Sequence, residues 1–539
     1  MLRLKQEYLD ISAIWEEAGI STPRYDRKKM IAHTRENPKW VHFGSGNLFR
    51  GYIAVLQQEL LDKNIEDTGI ISVETYDYEI LDKVYHPYDN LSLVVTMYPD
   101  GNLGKEVMGS ISEALVGDCS KKNDWERLKE IFTKPSLQMA SFTITEKGYN
   151  LAKTTGEYFP EVLEDFKNGP SCPQNVMAKV VALAYERYLS GKHPIAFVSM
   201  DNCSHNGEKL YNAVKKVAVK WFENGYVDKG FIEYINNPEL VSFPWSMIDK
   251  ITPRPSETVK ERLNKLGFED TDIFCTKKNT YIAPFVNTEE AQYLVIEDNF
   301  PNGRMKLEEA GVFFTDRDTV DKSEKMKVCT CLNPLHTTLA VYGCLLGFES
   351  IADEMKDECL KQLITKVGYE EGLPVVINPG IIDPKRFIDE VIGKRFPNPY
   401  TPDTPQRIAT DTSQKVAIRF GETIKAYHGK EHLDPKQLTF IPLVIAGWLR
   451  YLLGVDDKGN QMQLSSDPMM NELTAGLAKI KFGQPETVEN EIKPILSDTK
   501  LFGINLYEVG LGEKVEHYFK ELIEGKGSVR ATLKKYLVC

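Results

Sequence analysis

A short apolar run, a glycine-rich turn and a helical pattern follow one another near the start of this chain, and together they leave few folds open to it. Residues 40–43 read WVHF, Gly44 and Gly46 come next, and helical periodicity covers residues 48–61. A strand that enters a helix through such a turn is typical of the first unit of a parallel α/β sheet. Gly44 permits the tight turn, Gly46 lets backbone amides approach a pyrophosphate, and the helix N-terminus adds positive potential. Phe49 stands where the third glycine of the usual fingerprint would fall.

Neighbouring positions extend this prediction of a nucleotide site. Arg50, at the start of the helix, either binds phosphate or packs structurally, and the sequence leaves both roles open. Glu74 ends the second predicted strand, where an acid typically accepts hydrogen bonds from the adenosine ribose hydroxyls. No arginine or lysine at residues 75–77 is present to bind a 2′-phosphate, which favours NAD over NADP. We therefore expect NAD as the cofactor, held by Gly44, Gly46, Asn47, Arg50, Glu74 and Thr145, the last of which follows another strand.

The alternation of apolar runs and helical segments continues through the first part of the chain. Further strands are predicted at residues 69–74, 91–97, 139–145 and 195–200, with a helix at 175–189. This pattern predicts a doubly wound parallel sheet of the Rossmann type in residues 1–310, preceded by an N-terminal extension. Residues 311–539 carry helical periodicity and few β-branched runs, which predicts a mostly α-helical second domain. Its helical segments are expected near residues 336–367, 384–394, 406–427, 439–453, 486–496 and 513–536.

Length, charge and cysteine usage limit the class of protein. A chain of 539 residues is too long for one ordinary core, so two domains are expected. The net charge of -12 argues against nucleic acid or an anionic membrane as a partner. Residues 440–453 are apolar but too short to span a bilayer comfortably, and the start lacks a signal-peptide core. Nine cysteines without disulfide-like spacing, including the pair Cys329 and Cys331, favour buried thiols in a cytoplasmic protein. We expect a monomer or a weak homo-oligomer.

The segment 324–336, EKMKVCTCLNPLH, brings together groups that suit proton transfer to or from an alcohol or ketone oxygen. Lys327 can act as an acid or base if burial or a cationic neighbour lowers the lysine pKa from about 10.4. Asn333 and His336 lie three residues apart, on one face of a helix, and can polarise the oxygen. Pro334 disfavours a helix running through this point, so Asn333 could cap a helix that starts at Pro334.

Three segments carry a family resemblance. They are residues 199–207 (SMDNCSHNG), 241–253 (VSFPWSMIDKITP) and 324–336, which accompany GSGNLFR at 44–50 and TITEKGY at 143–149. Together they resemble the polyol-specific long-chain dehydrogenases, the mannitol dehydrogenase family, over nearly the whole chain after residue 40. The second segment matches the family signature most specifically, with Ile248 in place of valine and Lys250 in place of arginine.

The resemblance implies a nucleotide-binding domain, a helical domain, no metal and a catalytic lysine. It assigns Lys327 as the general acid/base and Asn333 and His336 as the pair that orients and polarises the reacting oxygen. Further implied site residues are Asn202 and Asp249, as polar groups around the substrate, and Glu324, as a proton-exit gate. The family usually has four residues between the lysine and the asparagine, and here there are five. Either a bulge absorbs the extra residue or the neighbouring Lys325 takes part.

A sugar-acid substrate needs a cationic partner for its carboxylate. Arg407, Lys415 and Arg419 are the candidates, and the sequence does not rank them. His428 and His432 lie four residues apart, as metal ligands on a helix do, but Gly429 and the lack of a nearby third ligand argue against such a site. We expect no metal.

The resemblance thus implies a metal-independent, NAD-dependent oxidoreductase that interconverts a keto-sugar acid and its hydroxy acid. Among the family's activities, fructuronate reduction is favoured, with mannitol 2-dehydrogenase and tagaturonate reductase as alternatives. A polyol or sugar acid is then the small-molecule partner. An alternative of a different class is a non-catalytic nucleotide-binding sensor, which the extra residue after Lys327 would suit.

Overall fold

The chain forms two compact units in the computed structural model, which describes residues 2–539. Unit 1 comprises Met1–Tyr98 and Asn102–Asp321, and unit 2 comprises Pro99–Gly101 and Lys322–Cys539. The sequence had placed the boundary after residue 310. The division instead falls within the helix Arg317–Met326.

Unit 1 is built on a sheet of six parallel strands. They are β1 (Trp40–Phe43), β2 (Ile70–Glu74), β3 (Ile111–Val116), β4 (Met139–Phe142), β5 (Ile195–Ser199) and β6 (Val241–Ser242). Their order in the sheet is β3-β2-β1-β4-β5-β6, and every neighbouring pair is parallel. This is the strand order of a Rossmann fold, in which the order reverses between β1 and β4. The predicted doubly wound parallel sheet is confirmed.

Both faces of this sheet are covered, because alternate residues of its strands enter two separate apolar cores. Val41 and Phe43 belong to one buried cluster, and Trp40 belongs to the other. A strand buried on both sides has no polar face, which explains why WVHF reads as a continuous apolar run. The longer helices of unit 1 are Arg27–Glu36, Ala54–Asp62, Lys122–Thr133, Pro160–Asn168, Val176–Leu189, Asn206–Glu223, Lys229–Asn236 and Glu257–Lys265.

One predicted strand lies outside this sheet. Ser92–Met97 pairs with Leu103–Met108 and Phe285–Glu289 in a separate three-stranded sheet. In the six-stranded sheet, the position expected for Ser92–Met97 is occupied by β3. The sequence pattern did not indicate β3, because Glu113 interrupts its apolar run. Two smaller sheets complete unit 1. They consist of Ser246–Asp249 with Tyr293–Glu297 and Phe313–Thr315, and of Phe274–Cys275 with Tyr281–Ile282.

Unit 2 is mostly helical, as predicted. Its helices include Asn333–Leu346, Ile351–Glu354, Glu358–Thr365, Pro384–Glu390, Pro405–Ile408, Glu422–Gly429, Phe440–Leu452, Met470–Gly476, Lys493–Leu496, Thr499–Phe502, Gly512–Leu522 and Ser528–Tyr536. The helix Phe440–Leu452 is buried, and its Arg450 donates to the backbone carbonyls of Val455 and Leu522 at 2.6 and 3.0 Å. None of the helices within residues 2–539 combines the length and apolar character needed to cross a lipid bilayer.

The prediction that the cysteines are free thiols is wrong for four of them. Cys119 is joined to Cys172 within unit 1, and Cys359 to Cys539 within unit 2. The paired residues are 53 and 180 positions apart, so their spacing in the sequence gives no sign of the pairing. Within residues 2–539 the remaining five cysteines take no part in these two disulfides.

Candidate functional site

A cavity of about 590 Å³ lies at the carboxyl ends of β1, β2 and β4 in unit 1. In open α/β folds ligands bind at this edge, where the strand order reverses. The turns after the three strands supply most of its walls, with a further contribution from the start of the helix Val176–Leu189. The lining includes Gly44, Ser45, Gly46, Glu74, Thr75, Tyr76, Asp77, Thr143, Ile144, Thr145, Lys147, Glu161, Gln174, Asn175 and Thr280.

The glycine turn after β1 lines this cavity as predicted. Gly44 has a φ of +107°, a conformation that favours glycine. A Cβ placed there would overlap the carbonyl oxygen of Thr143 and lie 2.9 Å from its carbonyl carbon. At Gly46 a Cβ would meet no atom within 4 Å, so its backbone borders open space. The turn therefore leaves main-chain atoms bare on the cavity side, which suits a phosphate-bearing ligand.

The carboxylate of Glu74 holds the turns together. It is 5% exposed and accepts hydrogen bonds from four backbone amides at 2.8–3.1 Å, those of Ser45, Thr75, Tyr76 and Asp77. Burial raises the pKa of Glu74, while the four amides act in the opposite direction. Oε1 takes three of these donors and Oε2 takes one, which leaves Oε2 room for a ribose hydroxyl. The expected ribose contact thus has an acceptor in the cavity wall, and the same residue also fixes the glycine turn.

Thr145 lines the cavity, whereas Asn47 and Arg50 do not. Arg50 has no exposed surface, and it donates to the carbonyl of Ala283 at 2.9 Å and to Asn47 Oδ1 at 2.9 Å. Of its two possible roles, these contacts support structural packing, and the expectation that Arg50 binds cofactor phosphate is corrected. Asn47 serves as an acceptor for that guanidinium.

These residues fit a dinucleotide. The turn Gly44–Gly46 leaves backbone atoms accessible, Lys147 provides a positive charge, and Glu74 provides a hydrogen-bond acceptor. The side chains of Asp77 and Glu161 add negative charge at the cavity wall. Asp77 also accepts hydrogen bonds from the hydroxyls of Thr276 and Thr280, both at 2.6 Å.

In unit 2, Lys327 is 2% exposed and Lys325 is exposed. Lys327 opens a π-helical turn, Lys327–Cys331, in which the amide of Leu332 donates to the Lys327 carbonyl at 3.1 Å. A π-turn contains one residue more than the corresponding α-turn. Such a turn can accommodate one extra residue, which agrees with the first of the two alternatives that the sequence leaves open; that alternative stays a prediction. A solvent-facing position is excluded for Lys327.

Asn333 and His336 lie in the first turn of the helix Asn333–Leu346. The helix starts at Asn333 with Leu332 as its N-cap, so Asn333 itself does not cap a helix that begins at Pro334. The amide of His336 donates to the carbonyl of Leu332 at 3.0 Å. A spacing of three residues places both side chains on one face of the helix, as predicted.

The imidazole of His336 is enclosed and neutral. Burial lowers the pKa of His336 to about 3, and the positive charges of Arg419, Arg407, Arg395 and Lys415 lower it further in that order. Its Nε2 lies 3.4 Å from Oδ2 of Asp403 but has no hydrogen-bond partner among residues 2–539. The ring packs against Phe396 with centroids 5.0 Å apart. His336 therefore presents a buried ring nitrogen whose hydrogen-bonding capacity is unused within the described part of the chain.

Four cations converge on His336, including all three that the sequence proposed. Arg419 donates to Oγ1 of Thr337, the residue that follows His336, and burial lowers its pKa to about 10. Arg407 pairs with Asp403, and Lys415 donates to the carbonyl of Thr410. Burial, and then the charge of Arg419, lower the pKa of Lys415.

The fourth cation, Arg395, was missed. It is 4% exposed and lies at the end of the π-turn Val391–Arg395. No feature of the local sequence indicates that its charge acts on His336.

The remaining predicted residues divide between the units. Asn202 follows β5 and is exposed, and Asp249 ends the strand Ser246–Asp249 and is 6% exposed; both belong to unit 1. Glu324 belongs to unit 2, three residues before Lys327, and is half-buried. Their roles around the substrate stay predictions. Within residues 2–539 no group of three or more histidine, cysteine, aspartate or glutamate side chains has an arrangement that could hold a metal ion.

Comparison with known proteins identifies the family. Residues 38–309 match the model of the mannitol dehydrogenase Rossmann domain, and residues 319–523 match that of the mannitol dehydrogenase C-terminal domain. The chain belongs to the mannitol dehydrogenase family. It is an oxidoreductase, as the sequence predicted, and its dinucleotide-binding domain is the family's Rossmann domain.

Three known proteins illustrate the similarity. The D-mannonate oxidoreductase of Thermotoga maritima is 59% identical over 536 residues, covering 99% of both chains. The D-mannonate oxidoreductase of Escherichia coli is 30% identical over 450 residues, covering 82% of this chain and 85% of that one. The crystal structure of a substrate-free D-sorbitol dehydrogenase superposes with a TM-score of 0.77 at 26% identity, covering 96% of this chain and 98% of that one.

Proposed function

We propose that this oxidoreductase is NAD-dependent and interconverts a keto-sugar acid and its hydroxy acid, D-fructuronate and D-mannonate. The observation that carries the proposal is the group of cations around His336 in unit 2. The similarity to two proteins named D-mannonate oxidoreductase supports the same substrate.

Acids of the chain offset part of the charge of the cation group. Arg407 pairs with Asp403, which lies 3.4 Å from His336, and the charges of Asp411 and Asp467 act on Lys415. Arg419 also acts on His336, and its hydrogen-bond acceptor is a neutral hydroxyl, that of Thr337. A mostly buried cation costs solvation free energy, which an anionic ligand offsets. The carboxylate of a uronic acid is such a ligand, whereas a neutral polyol such as mannitol is not.

The proton chemistry is assigned to Lys327. Bound NADH or NAD⁺ would supply or accept the hydride at the substrate carbon. In reduction the Lys327 ammonium gives its proton to the carbonyl oxygen, and in oxidation the neutral amine takes the proton from the hydroxyl. Neutral His336 offers Nε2, and Asn333 its amide, to stabilise the charge that develops on this oxygen.

The preference for NAD rests on the acids of the cofactor cavity. Glu74, Asp77 and Glu161 line it, and a 2′-phosphate beside them would meet like charge. Glu74 would bond the ribose hydroxyls through Oε2, and the turn Gly44–Gly46 together with Lys147 would hold the pyrophosphate. The proposal includes a cytoplasmic location because nicotinamide cofactors are recycled inside the cell. Cysteine usage no longer supports this location, since four of the nine cysteines are paired. It also keeps the expectation of a monomer or weak homo-oligomer, which light scattering checks.

A substrate panel with NADH tests this function. Oxidation of NADH, followed by its absorbance, is expected with fructuronate and at most weakly with tagaturonate or fructose. Arg419→Met and Lys415→Met should each lower kcat/KM for fructuronate by about a hundredfold, because an ionic contact to the carboxylate is lost. Lys425→Met, which removes a half-buried lysine paired with Glu422, is the matched control and should behave as the wild type.

The same panel separates the alternatives. Preference for fructose or mannitol would overturn the assignment of a sugar-acid substrate. Preference for tagaturonate would keep that assignment and change only the stereochemistry of the substrate. NADH binding without turnover of any member of the panel would favour the nucleotide-binding sensor.

A further inference from the structure

The turn after β4 forms one wall of the cofactor cavity and has an unfavourable backbone conformation. Thr143, Ile144 and Thr145 line the cavity, and the main chain of Thr143 abuts Gly44 of the opposite wall. Thr145 has a φ of +66°, in the left-handed region that β-branched residues rarely adopt. Such a conformation is kept only where surrounding contacts hold the backbone in place against this strain.

The contacts that hold this turn come from the neighbouring strand. Asp201 follows β5, is 7% exposed, and its two carboxylate oxygens face the turn. Oδ1 accepts a hydrogen bond from the amide of Thr145 at 2.9 Å, and Oδ2 accepts from the amide of Ile144 at 3.0 Å and from the Tyr149 hydroxyl at 2.6 Å. Two successive amides and a phenol therefore point at one carboxylate.

The main chain of Asp201 is itself held in place by a hydrogen bond from Asn206. Asn206 donates from Nδ2 to the carbonyls of Asp201 and Ser246, both at 3.0 Å, and accepts from the Ser246 amide at 3.0 Å. The Ser246 hydroxyl donates to the carbonyl of Ser199 at 2.6 Å. The segment that carries Asn202, the strand that ends at Asp249 and the turn at the cavity thus share one hydrogen-bond network.

We propose that Asp201 is a positioning residue for cofactor binding, whose carboxylate fixes the turn at residues 143–145 in the shape that completes the cavity wall. This inference rests on the proposed function, since it takes NADH as the ligand. Asp201 itself does not line the cavity and acts through Thr145 and Ile144.

The chemistry of the contacts requires a carboxylate. All three facing groups are donors, so both oxygens of the side chain must accept. In Asp201→Asn one oxygen becomes an amino group that faces a donor, and at least one buried N–H or O–H loses its acceptor. The left-handed conformation of Thr145 then lacks the contacts that hold it in place.

Calorimetric titration with NADH tests the inference on the full-length protein without any turnover. Asp201→Asn should raise the Kd for NADH by about tenfold or more, as expected for losing a hydrogen bond to a charged group. Glu371→Gln is the matched control, because Glu371 of unit 2 is also a buried carboxylate that accepts from backbone amides, including those of Phe440 and Ile441 at 2.8 and 2.7 Å. It should lower Tm and leave the Kd unchanged.

Two further variants distinguish positioning from a loss of stability. Tyr149→Phe removes one donor and leaves both amide contacts, so its Kd should rise less than that of Asp201→Asn. Thr145→Gly, added to Asp201→Asn, should recover part of the affinity, because glycine adopts a φ of +66° without strain. If Asp201→Asn does not fold, a Tyr149→Phe protein with wild-type Kd and lowered Tm overturns the inference by itself.

The outcomes also separate this inference from the proposed function. A wild-type protein that does not bind NADH contradicts the proposed function. NADH binding that is the same in the wild type and in Asp201→Asn contradicts the positioning role alone. An equal rise in Kd for Asp201→Asn and Glu371→Gln would reduce the effect to general destabilisation and overturn the inference.

Discussion

Glu354 is a buried carboxyl group that makes the stability of unit 2 depend on pH. It ends the helix Ile351–Glu354, has no exposed surface, and neither of its carboxyl oxygens has a hydrogen-bond partner among residues 2–539. Burial raises its pKa well above the ordinary value, and the charge of Asp357 adds to this. It packs against Gly343 of the helix that carries His336, where a Cβ would overlap its carboxyl group.

The direction of the pH dependence follows from comparing the pKa of Glu354 in the folded and unfolded states. The folded pKa of Glu354 is raised, whereas an unfolded chain has a glutamate pKa of about 4.3. Below the unfolded pKa both states are protonated, so the group imposes no penalty. As pH rises, the unfolded state ionises while the folded state keeps its proton, and folding stability is lost at about 1.4 kcal/mol per pH unit until the folded pKa is reached.

Glu354→Gln removes this dependence while keeping the shape of the side chain. The variant should match the wild type or be slightly less stable near pH 4, because glutamine brings two N–H groups that need partners. Its advantage should then grow by about 1.4 kcal/mol per pH unit, to about 4 kcal/mol at pH 7 if the carboxyl of the folded protein is still protonated there.

Urea unfolding of both proteins at pH 4, 5, 6 and 7 measures this difference. Glu358→Gln, at an exposed glutamate in the next helix, is the control and should differ from the wild type by a constant amount. A constant difference for Glu354→Gln as well, or one that shrinks with pH, would refute the reasoning.

Two further predictions concern the backbone turn and a disulfide. Gly44→Ala should abolish detectable NADH binding in calorimetry, because its Cβ would overlap the Thr143 carbonyl and its φ is positive; binding within threefold of wild type would contradict this. Cys359→Ser should destabilise unit 2 by up to about 5 kcal/mol in urea unfolding, because the bond to Cys539 closes a loop of 180 positions. Cys275→Ser, at an exposed free cysteine, is its control, and equal stability of the two variants would count against the disulfide.

The sheet could be predicted wherever burial on both faces left an unbroken apolar run. WVHF at β1 is such a run, and the glycine turn after it located the cofactor cavity. The strand β3 was missed because Glu113 interrupts its pattern, and Ser92–Met97 was assigned to the wrong sheet because an apolar run does not specify its partners. Strand pairing is a long-range property that local periodicity does not encode.

The residues of the candidate site could also be predicted only in part. The segment around Lys327 and His336 stood out because its reactive residues are close in the sequence. The contributions of Arg395 and Asp201 depend on contacts with residues that are distant in the sequence. The segment 199–207 carried the family resemblance, but it did not indicate the role of Asp201. The role of Arg50 was open for the same reason, since whether an arginine faces a cavity or the core depends on packing.

The proposed reaction depends on proton transfer by the amine of Lys327. Steady-state reduction of the best substrate of the panel is measured for Lys327→Met, together with its calorimetric NADH binding. We expect kcat to fall by about a thousandfold, as for loss of a general acid, with an unchanged Kd for NADH and near-normal activity in the exposed-site control Lys325→Met. A Lys327→Met protein that keeps more than about a tenth of the wild-type kcat would contradict it.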